Sequence, residues 1–263
     1  MGIINLTPDS FYGASRHDVQ SEVERSIERS VTEGATIIDL GAYSSRPGAA
    51  DVDVEEEWRR LKMGLQAARS VSSGVVLSID TFRADIVRRA ADEYGDIIVN
   101  DITAGEADPE ILDEVVRRNL IYVAMHMRGT PQTMQGMTEY PRGVIAEVKE
   151  YFASRLEYLE SRGIARDKVI LDPGFGFAKS VTQNYELMQG LDELCALGCE
   201  VLCGVSRKSM IYKPLGITPE EALPGSLAMA WEALRGGAKI LRVHDVAATR
   251  QIVDLYNLYM SVR

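Results

Sequence analysis

Residues able to do chemistry recur at one kind of place in this sequence, the downstream end of short apolar runs. These residues are Asn5, Asp39, Asp80, Asn100, Asp101, His126, Asp172, Ser206, Arg207, Lys208, Arg242, His244 and Asp245. Capping or core satisfaction would explain any one of them, but it is a weak explanation for all eight runs. In a barrel of parallel strands, the downstream strand ends form the functional face. The pattern therefore predicts one polar mouth.

The polar residues divide into two chemistries. The first set offers carboxylates and an amide, which suit a heterocycle that carries several N–H groups; it consists of Asp80, Asn100 and Asp172. The second set is cationic or imidazole-bearing and suits an anion, most naturally a phosphate; it consists of Lys208, Arg242 and His244. Because side chains two residues apart share a strand face, we expect both sets to converge in the mouth.

Eight apolar runs, rich in Val, Ile and Leu, are typical of strands buried on both faces of a parallel sheet. They occupy residues 1–5, 35–41, 75–80, 97–101, 120–127, 168–174, 200–206 and 238–245. Between them, apolar residues at spacings of three and four predict amphipathic helices. The predicted helices are 18–33, 53–72, 83–94, 108–118, 142–162, 182–197, 219–235 and 246–260.

Eight βα units predict an α/β fold, a (β/α)8 TIM barrel, with residues 1–263 as a single domain. The main alternative is an open, doubly wound parallel sheet. The first βα turn lacks the pattern G-x-G-x-x-G, and the number of units is eight. Both observations favour the barrel.

Composition excludes several kinds of partner. The chain of 263 residues has a net charge of −10, which argues against general binding to nucleic acid or to an anionic membrane. It has no apolar run of 18 residues and no signal peptide, so we expect a cytoplasmic protein. Met1 falls inside the first apolar run, and the sequence leaves open whether an N-terminal segment is missing. The three cysteines, Cys195, Cys199 and Cys203, fit no metal-binding pattern and are predicted to be buried thiols.

Four connecting segments are long enough to cover the mouth. They are residues 4–18, 41–49, 127–141 and 173–180. Lids and clamps commonly come from such loops. Lys179 and Arg207 are open to two interpretations, as ligands or as solvated surface charges. Met134 and Met137 are explained by simple packing of their loop.

Eight motifs, one at each strand end and in the same order, make the chain similar to the dihydropteroate synthase family. The motifs are MGIINLTPDSF, GAYSSRPGA, SIDT, VNDI, MHMRGTPQTMQ, LDPGFGFAK, GVSRKSM and LRVHDV. The resemblance covers nearly the whole chain. It implies a (β/α)8 barrel, usually a homodimer, that condenses 6-hydroxymethyl-7,8-dihydropterin diphosphate with p-aminobenzoate. The implied products are 7,8-dihydropteroate and diphosphate, Mg²⁺ is the implied cofactor, and sulfonamides are the implied inhibitors.

The resemblance also implies roles for particular residues. The pterin would be bound by Asp80, Asn100, Asp172 and Lys208. The diphosphate would be bound by Asn5, Arg242 and His244, with Asn5 also next to Mg²⁺. The p-aminobenzoate would be bound by Ser45, Arg46, Pro47, Phe177 and Ser209. The implied catalytic residues are Arg242, His244, Lys208 and Arg46.

Two loops depart from the usual pattern of the family. The first reads TPDSFYGAS where the family has TPDSFSDGG, so Gly13 replaces an aspartate. The second reads GAYSSRPGA where the family has GGESTRPGA, so Tyr43 replaces an acid. Neither change removes a residue that is implied to bind the pterin or the diphosphate.

Three other functions remain open at this point. A pterin-dependent corrinoid methyltransferase shares the barrel but needs no diphosphate site, and the SRK and RVHD motifs favour the synthase. A non-catalytic pterin-binding paralogue would be expected to lose strand-end polar residues, and the key ones are all present. A Schiff-base aldolase that uses Lys208 or Lys179 is compatible with the fold alone.

Overall fold

The structure, a computed structural model, describes residues 1–7, 16–43, 52–130 and 133–262. In these ranges the chain forms eight strands, and each strand pairs in parallel with the next. The strands are β1 (Gly2–Asn5), β2 (Ile37–Gly41), β3 (Val76–Asp80), β4 (Ile98–Asp101), β5 (Ile121–Met125), β6 (Val169–Asp172), β7 (Glu200–Cys203) and β8 (Ile240–Leu241).

The sheet closes on itself where β8 meets β1. The amide of Ile3 donates to the carbonyl of Val243 at 3.0 Å, and the amide of Val243 donates to the carbonyl of Met1 at 3.0 Å. Gly2 and Val243 form a parallel bridge. The predicted (β/α)8 barrel is therefore confirmed, and the open doubly wound sheet is wrong.

Helices follow every strand in the described parts of the chain. They are α1 (Arg16–Thr32), α2 (Val54–Val71), α3 (Ala84–Tyr94), α4 (Glu110–Arg118), α5 (Val144–Ser161), α6 (Val181–Gln189), α7 (Leu191–Cys195), α8 (Ser209–Leu215), α9 (Leu223–Arg235) and α10 (Val246–Ser261). Capping side chains start two of them. Asp53 accepts from the amide of Glu56 at 2.8 Å, and Ser180 forms a capping box with Gln183.

Two helix predictions need correction. The segment predicted as one helix over 182–197 divides at Gly190 into α6 and α7. Helix α8 was not predicted, because Pro214 lies inside it and Gly216 ends it after only seven residues. Short, proline-containing helices lack the long apolar periodicity by which a helix is recognised.

An apolar layer fills the lower part of the barrel interior. Ile98, Val123, Ile170 and Leu202, one from each of β4 to β7, form this cluster, and Ile37 and Ile240 pack against it. A larger cluster lies between the strands and the surrounding helices. Side chains two residues further along a strand share the same face. The interior face therefore continues from this layer into Asp39, Asn100, Asp172 and Arg242.

Three further properties can be stated for residues 1–7, 16–43, 52–130 and 133–262. None of the helices there has the length and apolar character needed to cross a membrane. The three cysteines are free, with Cys203 buried and Cys195 and Cys199 half-buried, so the prediction of three buried thiols holds in full only for Cys203. Nor does any cluster of three or more His, Cys, Asp or Glu side chains in these ranges suit a metal ion.

Candidate active site

Arg242 joins two aspartates at the mouth of the barrel. Its Nε donates to Oδ2 of Asp39 at 2.6 Å, and its Nη2 donates to Oδ2 of Asp80 at 2.9 Å. The three residues come from β2, the end of β3 and the segment directly after β8, which are far apart in sequence. Closure of the barrel places β8 next to β1, and the guanidinium then reaches across to β2 and β3.

Asp39 accepts hydrogen bonds from three residues, one on β3, one on β4 and one directly after β8. Its side chain is fully buried, and besides Arg242 it accepts from Ser78 Oγ at 2.6 Å and from Asn100 Nδ2 at 3.2 Å. A buried carboxylate is tolerated only where paired charges and hydrogen bonds offset its lost hydration. Asp39 meets this condition with one cation and two neutral donors. It thereby fixes the side chains of Asn100 and Arg242.

Asp80 has a pKa that this arrangement shifts toward neutral pH. Burial raises its pKa to about 7, the charge of Arg242 opposes the rise, and repulsion from Asp39, Asp101 and Glu57 adds to it. Asp80 therefore changes between its neutral and charged forms close to physiological pH. Only the charged form offers two acceptor oxygens to a ligand.

Asp101 shapes the loop that follows Asn100. It is fully buried and accepts from the amide of Thr103 at 2.8 Å, from the amide of Gly105 at 2.7 Å and from the hydroxyl of Tyr122 at 2.7 Å. Its strand neighbour Asn100 points to the other face, into the barrel. Asp101 therefore positions the loop, whereas Asn100 faces the mouth.

Asp172 and Lys208 form the opposite side of the mouth. Asp172 is buried and accepts from the amide of Gly174 at 2.8 Å. Burial raises the pKa of Asp172, and the charge of Lys208 opposes that rise. The ammonium nitrogen of Lys208 donates to the carbonyl of Phe175 and lies 4.9 Å from the ring centroid of Phe177. Burial lowers the pKa of Lys208 to about 8.

Lys179 stabilises the loop between Asp172 and α6 through hydrogen bonds to its backbone carbonyls. Its Nζ donates at 3.0 Å to the carbonyls of Gly174 and Phe177, and it lies 3.0 Å from Nδ1 of His126. Both side chains are buried. Burial, followed by the charges of Lys179 and Arg128, lowers the pKa of His126 to about 2, so its ring is neutral. Burial also lowers the pKa of Lys179 well below its ordinary value.

Comparison with known proteins identifies the family. The sequence profile described as "Pterin binding enzyme" matches residues 1–244. The dihydropteroate synthase of Escherichia coli K12 is 40% identical over 263 residues, which cover 100% of this chain and 92% of that protein. The chain belongs to the dihydropteroate synthase family.

Solved structures of dihydropteroate synthases have the same fold as this chain. The Xanthomonas albilineans enzyme with 4-aminobenzoic acid is 38% identical with a TM-score of 0.89, and the match covers 100% of this chain and 92% of that one. The Yersinia pestis enzyme in a sulfonamide drug complex is 36% identical with a TM-score of 0.91, covering 99% and 94%. These relatives are dihydropteroate synthases, which are transferases. The comparison therefore favours dihydropteroate synthesis over corrinoid methyl transfer as the function.

The predicted pterin residues come together in the structure. Asn100 and Asp80 are linked through Asp39 and Arg242, and Asp172 is close enough to Lys208 and Arg242 for their charges to affect its pKa. The structure thus places in one mouth the side chains that the dihydropteroate synthase motifs select.

The other described residues that were predicted to bind substrate lie at the rim of the barrel mouth. Asn5 ends β1 with an exposed side chain, and Ser209 begins α8. His244 is exposed, with its Nδ1 3.2 Å from Ser206 Oγ. Partial desolvation of the ring, and then the charge of Arg242, lower the pKa of His244 to about 4. Its imidazole is therefore neutral at physiological pH and can donate one hydrogen bond.

Several predictions lie outside the described residues. These are the roles of Ser45, Arg46 and Pro47, which the dihydropteroate synthase resemblance assigns to p-aminobenzoate, and the substitution at Gly13. Tyr43 is described. Its ring meets that of Phe82 edge-on at 5.2 Å, and the guanidinium of Arg83 lies 5.5 Å from its centroid.

Neither Lys179 nor Arg207 is a freely solvated surface charge, and their alternative interpretation as ligands stays a prediction. Lys179 is buried and bonded to its own loop. Arg207 makes a bidentate ion pair with Asp245, in which Nε donates to Oδ2 and Nη2 donates to Oδ1, each at 2.8 Å. It also donates to the carbonyls of Pro219 and Glu220, which ties the segment before α8 to the segment before α9.

Sequence analysis assigned Asp39 no role beyond its place at a strand end, and it did not predict the contact between Lys179 and His126. The available signal for Asp39 was its place on β2, two residues after Ile37, which gives it the same inward face as the other mouth residues. No sequence signal pairs Lys179 with His126, because they come from different βα units and meet only in the folded barrel.

Proposed function

We propose that this protein condenses 6-hydroxymethyl-7,8-dihydropterin diphosphate with p-aminobenzoate in folate biosynthesis, releasing 7,8-dihydropteroate and diphosphate. The observation that carries the proposal is the contact of Arg242 with Asp39 and Asp80 in the mouth that also holds Asn100. A cation suited to a phosphate thus lies against the acceptors suited to a pterin. A substrate that joins a pterin to a diphosphate requires this adjacency.

The pterin would occupy the inner part of the mouth. Asp80 and Asp172 can accept the N–H groups of its pyrimidinone and amino edges, while Asn100 can both donate and accept. Lys208 would donate to a ring oxygen or nitrogen. A site that pairs every polar group of the heterocycle rejects analogues that lack one of them.

The diphosphate would bind at the outer part of the mouth. Arg242 has five N–H groups, of which two are used by Asp39 and Asp80, so three have no partner among the described residues and would be available for phosphate oxygens. The imidazole of His244 would donate another hydrogen bond, and Asn5 lies at the same rim. These donors would stabilise the charge that develops as the diphosphate leaves.

Mg²⁺ fits this site only together with the substrate. Asn5 supplies one amide oxygen, and the described residues contain no grouping of three metal-binding side chains. Mg²⁺ in proteins commonly takes one or two protein oxygens and completes its shell with phosphate oxygens and water. Asn5 would hold the ion in this way, and the bound ion would neutralise charge on the departing diphosphate.

The p-aminobenzoate would lie beside Phe177, with Ser209 near its carboxylate and with Ser45, Arg46 and Pro47 completing the pocket. Sulfonamides would compete for this position. The relatives solved with 4-aminobenzoic acid and with a sulfonamide support both assignments. Phe177 is suitably placed for such a role, because its carbonyl is held by Lys179 and its ring lies against Lys208.

The reaction requires no nucleophile from the protein. The bond from the pterin methylene carbon to the diphosphate oxygen breaks first, the diphosphate takes the electron pair, and the pterin ring delocalises the resulting positive charge. The amine nitrogen of p-aminobenzoate then forms the new C–N bond and loses a proton. Arg242, His244, Lys208 and Arg46 would be the catalytic residues, which stabilise the leaving group and orient the amine.

The assembly proposed for this activity is a cytoplasmic homodimer of a chain that folds as one domain. Large apolar side chains at spacings of three and four are exposed along one face of α10 and the residue after it, at Leu255, Leu258, Tyr259 and Val262. A second copy would cover this stripe. Leu258→Glu should convert a dimer into a monomer in sedimentation velocity, and a wild-type chain that sediments as a monomer would reject the dimer.

The central test is a product assay. The protein is incubated with the pterin diphosphate, p-aminobenzoate and Mg²⁺, and dihydropteroate is followed by chromatography. The wild type and Lys213→Met, which changes an exposed lysine of α8, should form product, whereas Lys208→Met should form little. Absence of product from folded wild-type protein would reject the proposed function.

A further inference from the structure

We propose that Asp39 is a positioning residue that holds Arg242 and Asn100 in their ligand-binding orientations and so couples the diphosphate half of the site to the pterin half. This inference rests on the proposed function. Asp39 itself would touch neither substrate.

The contacts of Asp39 reach both halves. One oxygen, Oδ2, accepts from Nε of Arg242 at 2.6 Å and from Asn100 Nδ2 at 3.2 Å, while Oδ1 accepts from Ser78 Oγ at 2.6 Å. Arg242 is the proposed diphosphate ligand, and Asn100 is a proposed pterin ligand. A single carboxylate oxygen is therefore shared by one residue from each half.

Asp39 holds Arg242 in a way that leaves its phosphate-binding groups available. Its bond is to Nε, at the base of the guanidinium. Nη1 has no hydrogen-bond partner among the residues that the structure describes. Asp80, the other partner of Arg242, must accept from the pterin, which weakens its hold on Nη2. Asp39 has no competing ligand and keeps the guanidinium oriented when the pterin is bound.

The charge of Asp39 is needed for this role. Asparagine has the same shape and still accepts from Ser78, but it lacks the charge that fixes the buried Arg242. In Asp39→Asn, Arg242 would pair with Asp80 alone, and that pairing would compete directly with pterin binding. A hydrogen bond to a charged group is markedly stronger than a neutral one, so the change should be large.

A matched control is available behind the barrel wall. Glu57 in α2 is also a fully buried carboxylate, and it also accepts from a hydroxyl, Thr81 Oγ1 at 2.6 Å, and from an arginine, Arg83 Nη1 at 2.6 Å. It makes no hydrogen bond to a proposed ligand residue within the described parts of the chain. Glu57→Gln therefore reproduces the loss of a buried ion pair without disturbing Arg242.

The kinetic test compares Asp39→Asn, Glu57→Gln and wild type. In Asp39→Asn, KM for the pterin diphosphate should rise by roughly 10- to 100-fold, the range expected for losing a bond to a charged group. KM for p-aminobenzoate should change less than about threefold. Glu57→Gln should be destabilised in thermal unfolding, with both KM values close to wild type. A KM for the pterin diphosphate in Asp39→Asn within about twofold of wild type would overturn the proposal.

The pH profile provides a readout that a purely structural role would not move. Asp80 faces Arg242 after β8, Asp39 on β2, Asp101 on β4 and Glu57 on α2, and its pKa is raised to about 7. Removing the negative charge of Asp39 lowers the pKa of Asp80, so the acid-side fall of kcat/KM for the pterin diphosphate should move to lower pH. The shift should be smaller in Glu57→Gln, and an equal shift in both variants would count against Asp39.

A second variant keeps the test decisive if Asp39→Asn does not fold. Ser78→Ala removes one donor from Asp39 and leaves its charge and Arg242 in place. KM for the pterin diphosphate should rise by about fivefold, as expected for one neutral hydrogen bond, and an unchanged value would reject the proposal. Wild type that forms no product defeats the proposed function, whereas active wild type with unaffected variants defeats only the role of Asp39.

Discussion

The two sides of the barrel mouth are built around buried polar groups of opposite kind. On one side, the Asp39 carboxylate accepts from Ser78, Asn100 and Arg242. On the other, the Lys179 nitrogen contacts His126 and donates to two backbone carbonyls. The carboxylate therefore orients side chains on rigid strands, whereas the lysine orients the backbone of a loop.

This difference indicates how each side meets its ligand. The Asp39 side would present preformed side chains to the pterin and diphosphate, because strands hold side chains more rigidly than loops do. The Lys179 side presents the segment that carries Phe177 and the carbonyl that receives Lys208. Changes on the first side should affect binding and catalysis directly. Changes on the second side should act through the stability and position of one loop.

The largest effect should come from Arg242, the proposed diphosphate ligand, which Asp39 and Asp80 hold in place. Arg242→Ala should lower kcat/KM for the pterin diphosphate by about 100- to 1,000-fold, because a preorganised donor to the leaving group is lost. Steady-state kinetics measure the change, with Arg166→Ala, an exposed arginine paired with Glu160, as the control. A decrease below tenfold in Arg242→Ala would reject its role with the diphosphate.

Substitution of Asp172, which links the two sides, should have the next largest effect. Asp172→Asn keeps an acceptor for the amide of Gly174 but removes the charge offered to the pterin. We expect the affinity for 6-hydroxymethylpterin to fall by roughly 10- to 100-fold in titration calorimetry. Unchanged affinity would show that the pterin does not contact this carboxylate.

Lys179 should distinguish the second side from the first. Lys179→Met leaves two buried carbonyls without their donor, which should lower the free energy of unfolding by about 2–4 kcal/mol in urea denaturation. KM for p-aminobenzoate should rise, because Phe177 loses its anchor, while KM for the pterin diphosphate should change less. If KM for the pterin diphosphate rises more, the two sides are not separable in this way.

The smallest effect concerns pH and His126. The folded state keeps this ring neutral down to a pKa of about 2, whereas the unfolded chain protonates it near pH 6.5. The penalty on the folded state is absent above about pH 6.5 and grows as the pH falls. Between pH 6.5 and 5, wild type should therefore lose about 2 kcal/mol more stability than His126→Gln. Equal losses would mean that the ring is protonated in the folded protein.

The sequence predicted the barrel and its mouth because both depend on local patterns. Apolar runs with a polar residue at the end locate β2 to β7 closely, and alternation along each strand places Asp80, Asn100 and Asp172 on the interior face. Strand β8 has only two residues, Ile240 and Leu241, where the pattern predicted eight. Its downstream half instead supplies Arg242 and His244 to the mouth.

The parts that the sequence could not predict depend on contacts between distant βα units. Lys179 was open to interpretation as a ligand or as a solvated surface charge, because lysines are rarely buried, and only the folded barrel brings His126 against it. Asp39 looked like one strand-end acid among several, and its special position depends on Arg242, which lies 203 residues away. Tyr43 is explained in a similar way. The acid that the family has at this position is replaced by a ring that packs on Phe82 and Arg83, and the charge of Arg83 is taken up by Glu57.

The apolar layer of Ile98, Val123, Ile170 and Leu202 restricts how ligands enter and leave the barrel. This layer closes the barrel interior at one end, which makes it a well with a single opening. A molecule that reaches Asp172 therefore has to enter and leave through the mouth. In the proposed arrangement the pterin lies deeper in this well than p-aminobenzoate. We therefore expect the pterin diphosphate to bind before p-aminobenzoate and the pterin end of the product to leave last.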